Sequence, residues 1–225
     1  MKKINGFTLA ELLISIGIIG VVASMTIPTL MIKTNNREVV AKLKKMYMTL
    51  DSAYQLYLVE NKVPEAIEFS KNGAEKLYSM FSPYLNIAQD CGTSFGTCVG
   101  TGIYLRKNGA FSPNYNLNSS YYTVVLADGS TLIMRGRESK YLFEIFYDIN
   151  GASPPNRWGY DLFEFDGIGA NVYPAGIPDI SEDFDETCAP KNSLGYGCAA
   201  WIIYKENMDY LRCDDLTWNK KNECD

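Results

Sequence analysis

The feature that most limits what this chain can become is an apolar run near its start. Residues 7–32 read FTLAELLISIGIIGVVASMTIPTLMI, in which Glu11 is the sole charged side chain. At about 1.5 Å of rise per residue, a helix of about 20 such residues matches the hydrocarbon thickness of a bilayer. Ahead of it stands a short basic head, MKKING, with Lys2 and Lys3. The whole-chain mean hydropathy of −0.12 therefore averages two materials, an apolar segment and a considerably more polar remainder.

Three assignments compete for this segment. A secretory signal peptide has the basic head and apolar stretch, and Val21-Val22-Ala23 offers small residues for cleavage. Yet the run continues to Ile32, and the carboxylate of Glu11 sits badly inside such a core. A plain membrane anchor explains the length but not the acid. An ionised acid at mid-bilayer costs about 2.5–3.5 kcal/mol on insertion scales, so such groups tend to be paired and functional.

The third assignment rests on the residues Lys2-Lys3 … Gly6-Phe7-Thr8-Leu9-Ala10-Glu11-Leu12-Leu13. This stretch resembles the class III signal of type IV pilins and type II secretion pseudopilins. The resemblance covers residues 1–32 and implies cleavage between Gly6 and Phe7 by a membrane prepilin peptidase, with methylation of the new N-terminal Phe7. Glu11 then becomes the fifth mature residue, where the family has its glutamate. Ala10 departs from the Ile or Val frequent at that position but keeps it apolar.

Physical chemistry gives Glu11 a role in that setting. Cleavage after Gly6 creates an α-amine at the edge of an apolar helix, about one turn from the Glu11 carboxylate. Within one subunit or between staggered neighbours, the two charges neutralise each other where each alone would be costly, which sets register between helices. The plainer alternative is Glu11 reaching the headgroups from a lone anchor. Gly17, Gly20 and Pro28 interrupt the span; small residues and proline are also common in membrane helices. Pro28 removes a backbone hydrogen bond and resembles the site where family members' helices melt in filaments, so it is expected, with Glu11, to serve assembly.

Beyond the span, residues 33–59 continue as an amphipathic helix. Val39, Leu43, Met46, Leu50, Ala53 and Tyr57 repeat at spacings of four and three, with Val40, Tyr47, Tyr54 and Leu58 widening the stripe. Turn signals at Pro64 and Lys71-Asn72-Gly73 precede a short helix over 74–81. Strands are expected at 102–106 and 110–111 around Asn108-Gly109, at 121–127 and 130–135 around Asp128-Gly129, and at 141–147. The fold class is α+β and pilin-like: a long N-terminal transmembrane helix continuing into a globular head with an antiparallel sheet and a disulfide-stapled C-terminal region. The implied divisions are a leader at 1–6, an assembly helix at 7–32, its amphipathic continuation at 33–60 and the head at 61–225.

The six cysteines, Cys91, Cys98, Cys188, Cys198, Cys213 and Cys224, all lie beyond the span, and their even number favours disulfides in an oxidising compartment. Of 15 pairings, the simplest joins sequence neighbours: Cys91–Cys98, Cys188–Cys198 and Cys213–Cys224. A zinc site would need four thiolates, since the sequence has no His, and no CxxC pair occurs. Lys2 and Lys3 favour a cytoplasmic N-terminus, whereas Lys33, Arg37, Lys42, Lys44 and Lys45 count the other way. The cysteines and the leader decide for a head facing the periplasm or cell exterior and a helix in the inner membrane before assembly.

The absent histidine removes Ser-His-Asp and Cys-His catalysis and HExxH zinc chemistry from this sequence. A net charge of −5 argues against direct nucleic-acid binding. Asp148, Asn150 and Asp161 frame an oxygen-rich, glycine-containing loop that reads first as a tight turn capping its own backbone and, as the alternative, as a Ca²⁺ site, although its spacing is not that of an EF-hand. The acidic stretch at 179–186 reads as a solvated loop or a subunit contact. The function that emerges is a non-enzymatic filament subunit, with prepilin peptidase, other pilin or pseudopilin subunits, the inner-membrane assembly platform and membrane lipid as partners. A membrane-anchored extracellular adhesin or binding protein is the alternative.

Overall fold

A computed structural model describes residues 8–94, 98–99, 104–112 and 119–224, with side chains at 28–33 left aside. The chain forms two compact units, Met1–Glu38 and Val39–Asp225. Helix α1 spans Leu9–Glu60 and contributes to both, so the amphipathic continuation expected at 33–60 begins before the unit boundary.

In the second unit, α1 carries the apolar stripe that its period demands. Leu43, Met46, Leu50, Ala53 and Tyr54 are buried, while Val39, Val40, Tyr47, Tyr57 and Leu58 pack half-buried beside them. Tyr54, read from sequence as a flank, is central. Its ring meets the edge of Phe143 at 5.2 Å, and its hydroxyl donates to the Gly169 carbonyl at 2.8 Å. A buried phenol needs such an acceptor.

Helix α2 covers Lys71–Phe81. It starts three residues before the expected 74, because the Ser70 hydroxyl accepts the Gly73 N–H and draws the supposed turn Lys71-Asn72-Gly73 into the first helical turn.

Six antiparallel strands form a meander in sequence order: β1 (Ile87–Gly92), β2 (Tyr122–Leu126), β3 (Thr131–Gly136), β4 (Phe143–Asp148), β5 (Leu162–Ile168) and β6 (Asn171–Pro174). The β2–β3 hairpin turns at Asp128-Gly129 as its sequence predicts. Gly129 has φ 84°, and the Asp128 carboxylate accepts the Ser130 N–H at 3.1 Å. Asn108-Gly109 differs: it makes a tight turn closed by the Arg106 N–H donating to Ala110 at 2.8 Å, but its flanks share only the isolated bridge Leu105↔Phe111. Residues 102–103 of that expected hairpin lie outside the described residues.

Strict alternation sends Leu132, Met134, Ile145, Tyr147, Phe163 and Phe165 to the helix-covered face. The opposite face carries a second apolar cluster with Tyr121, Ile133, Phe146 and Trp158 at its centre. Gly167 stands opposite Phe143, whose ring lies where a side chain at 167 would project. After β6 come two short helices, α3 (Phe184–Thr187) and α4 (Ala199–Lys205), around a cluster in which Phe184 stacks on Trp201 at 4.0 Å. Three disulfides, Cys91–Cys98, Cys188–Cys198 and Cys213–Cys224, join sequence neighbours.

Candidate processing and assembly segment

The first unit is organised by Thr8 and Glu11. The Glu11 carboxylate accepts both the Thr8 N–H and the Thr8 hydroxyl at 2.8 Å, and the Thr8 hydroxyl in turn accepts the Glu11 N–H at 3.3 Å. These are the reciprocal bonds of a capping box, in which Thr8 stands just before the helix and Glu11 closes the first turn. The sequence reading treated Glu11 as a charge awaiting a partner and overlooked this local one. The signal was present as Thr-x-x-Glu before an apolar run. The acid therefore has a defined position at the helix start, pointing back towards the residue after Phe7.

From Leu9 to Ile27, α1 is long and apolar enough to cross a membrane, and its side chains are almost all exposed. Its few hydroxyls are turned inward on the helix itself. Ser15 donates to the Glu11 carbonyl at 2.7 Å, Ser24 to Val21 at 2.7 Å and Thr26 to Val22 at 3.0 Å. Such back-bonding satisfies polar groups that lipid would leave without partners. Among the described residues, nothing lies within 4 Å of where a side chain at Gly17 or Gly20 would project. Gly6 and Phe7 lie outside the described residues. Pro28 falls in α1 among those whose side chains are left aside.

The second expected site lies in the head. Asp148, at the end of β4, and Asp161, just before β5, are both buried. The Tyr104 hydroxyl donates to Asp148 Oδ2 at 3.0 Å, and the Asn150 N–H approaches Oδ1 at 3.3 Å. Asp161 accepts the Asn156 N–H at 2.8 Å and the Arg157 N–H at 2.5 Å. Burial, then the neighbouring Asp161 charge, pushes the Asp148 carboxyl up to about 8. Burial also raises Asp161. Asn150 donates its amide to the Pro154 carbonyl at 3.1 Å, but its Oδ1 is buried with no hydrogen-bond partner among the described residues. The Asn156 amide, oriented to satisfy both its ends, donates to the carbonyls of Gly151 and Ser153 at 3.3 and 2.8 Å. The fold thus brings Asp148, Asn150 and Asp161 into one loop, part of which caps its own backbone.

Comparison with known proteins bears on the first of these sites. Residues 1–27 match the family model described as the prokaryotic N-terminal methylation motif. This is the prepilin-type signal of pilins and pseudopilins. The motif takes in Gly6, Phe7, Thr8 and Glu11 together with most of the exposed apolar helix. No curated protein and no solved structure matches the chain.

Proposed function

We propose that the chain is a structural subunit of a type IV pilus-like or type II secretion pseudopilus filament. Prepilin peptidase cuts between Gly6 and Phe7, Phe7 is methylated, and the mature subunit polymerises through α1 with other pilin or pseudopilin subunits. Before assembly the subunit sits in the inner membrane beside the assembly platform, with its head outside the cytoplasm. The observation that carries this reading is the methylation motif at residues 1–27 running into an exposed apolar helix. Removing Lys2 and Lys3 with the leader leaves 19 of the 21 basic residues against 26 acidic, a net −7.

The capping box supports a role for Glu11 in that process. Its carboxylate is held on Thr8, the residue next to the amine that cleavage creates at Phe7. An opposite charge at that point offsets the cost of carrying either into lipid. N-terminal sequencing and intact mass of protein from its host are expected to give a chain starting at methylated Phe7; a start at Ser24 or a retained Met1 would falsify the assignment. Glu11→Ala is expected to remain membrane-bound and drop out of sheared surface filaments. Normal incorporation would sink the pairing role, and absence of filaments from the unmodified protein would favour an anchored adhesin.

We also infer a Ca²⁺ site at Asp148, Asn150 and Asp161. Its support is the partnerless buried Asn150 Oδ1 beside two buried carboxylates. A hard dication takes oxygen ligands of this kind and would offset the carboxylates' mutual repulsion. Millimolar Ca²⁺ is expected to raise the melting temperature of the unmodified protein and to leave that of Asp161→Asn unchanged. Equal curves with Ca²⁺ and with chelator would remove the site.

A further inference from the structure

Four cationic side chains, Lys107, Arg157, Lys191 and Arg212, line one cavity of about 340 Å³ in the head. The concentration runs against the character of the chain, which has 26 acidic residues to 21 basic. Among the described residues, Asp214 is the one carboxylate lining the cavity. Four cations against one lining carboxylate leave the cavity net positive, and such a field raises the local concentration of anions.

The floor of the cavity is built, not draped. Lys107 is buried, and its ammonium donates to the carbonyls of Cys188 at 2.5 Å and Pro190 at 3.2 Å. Its backbone N–H donates to Leu194 at 2.8 Å. Arg157 lies over the Tyr160 ring at 4.4 Å, and its guanidinium donates to the carbonyls of Arg106 and Lys107. Those bonds use two of the five N–H donors an arginine carries. The Tyr210 hydroxyl donates to Gly159 at 2.7 Å and ties the C-terminal wall to the segment bearing Arg157. Burial, reinforced by the Arg157 charge, lowers the Lys107 ammonium to about 8, with Asp214 opposing the shift.

The rim differs from the floor. Lys191 and Arg212 are exposed, and Arg212 pairs with Asp209 at 2.5 Å. Asn192 and Tyr160 place neutral polar groups among the cations. Fixed guanidinium donors suit an oxyanion, and neighbouring amide and phenol groups suit hydroxyls on the same ligand. The volume falls at the small end of ligand pockets, which run from about 300 to 1,000 Å³.

We propose that this cavity binds a small hydroxylated ligand carrying a carboxylate or phosphate, of the size of one acidic sugar ring. Arg157 grips the oxyanion, Lys107 supplies fixed positive potential behind it, and Lys191 and Arg212 steer it in. The site is independent of processing at Gly6 and of assembly through α1.

Calorimetric titration of the full-length protein in detergent micelles tests this with four probes: glucuronate, glucose 6-phosphate, glucose and inorganic phosphate. Both acidic sugars are expected to give saturable binding, inorganic phosphate weaker binding and glucose none. The double substitution Lys191→Glu with Arg212→Glu is expected to weaken acidic-sugar binding about tenfold or more while leaving the melting temperature in place. Added salt is expected to weaken binding to the unmodified protein, a check that needs no variant. The proposal fails if glucose binds as well as the acidic sugars, if inorganic phosphate equals them, if affinity is indifferent to salt, or if no probe binds by about 10 mM.

Discussion

The two halves of α1 treat the same kinds of side chain in opposite ways. Between Leu9 and Ile27, leucines, isoleucines and valines point outward on all sides, with Leu13 56% exposed. Beyond Val39, Leu43 and Leu50 fall on one stripe and are fully buried against the head. Burying a leucine side chain is worth about 1.5–3 kcal/mol in water, so an all-round apolar surface left open is built for another environment. The polar groups agree with this division. In the first half, hydroxyls fold back on helix carbonyls; in the second Thr49 does the same, but the Tyr54 hydroxyl and the Gln55 amide reach across to Gly169 and Ala170 of the β5–β6 turn. One half satisfies itself, and the other is completed by tertiary contacts.

Paired leucine substitutions would break this comparison most directly. Leu50→Ala is expected to cost about 2–5 kcal/mol, read from thermal or denaturant unfolding of the head. Leu13→Ala is expected to leave that unfolding curve unchanged. Equal losses at the two positions would mean that the first half of α1 also belongs to the head's cooperative unit.

The face of the sheet turned away from α1 sharpens the contrast through its buried charges. Glu144, Glu164 and Asp166 lie together there, with Arg135 and Arg137 both paired to Glu144. Burial, then the Asp166 charge, holds Glu164 well above the usual carboxylate range. Burial also pushes Asp166 up to about 6, against the bond it accepts from Ser181 and the Arg137 charge; Glu182 adds to the rise. Carboxyls raised in the folded state bind more protons there than in the unfolded chain, so their contribution is greatest below about pH 4 and falls as pH rises, that of Asp166 being lost through about 6. Glu164→Gln is expected to flatten the fall in melting temperature between pH 4 and 8. A steeper fall in the variant would contradict this account.

Smaller effects probe single bonds in each half. Tyr54→Phe is expected to cost about 1 kcal/mol in the head by orphaning the Gly169 carbonyl. Thr8→Ala removes the cap at the other end of α1 and is expected to cost about 0.5–1 kcal/mol of local helix stability, seen as faster amide exchange over the first turn. The head's melting temperature should not move.

Much of the fold was legible because its signals are local. The 3.6-residue period marked the stripe of α1, and Asp128-Gly129 marked its hairpin. Strand β5 went unassigned because its buried acids Glu164 and Asp166 carry no signature of burial in sequence, and the Arg135 and Arg137 charges that offset theirs come from across the sheet. Strand β1 was missed because none of Ile87–Gly92 is buried, an edge strand with neither apolar alternation nor a β-branched run. The candidate sites divide in the same way. The methylation motif is contiguous and readable, whereas the basic cavity is assembled from residues as far apart as Lys107 and Arg212.

The sequence by itself determined the exposed apolar helix, its Thr8–Glu11 start and the segments that close as local disulfide loops, because each is a contiguous stretch, the cysteine partners standing 7, 10 and 11 residues apart. Only the tertiary structure decided that Tyr54 is a core residue, that three carboxylates share a buried face, and that four cations meet around one cavity. Those outcomes turn on which strands pair and what then covers them. Burial and charge proximity are properties of the assembled sheet, and no spacing along the chain encodes them.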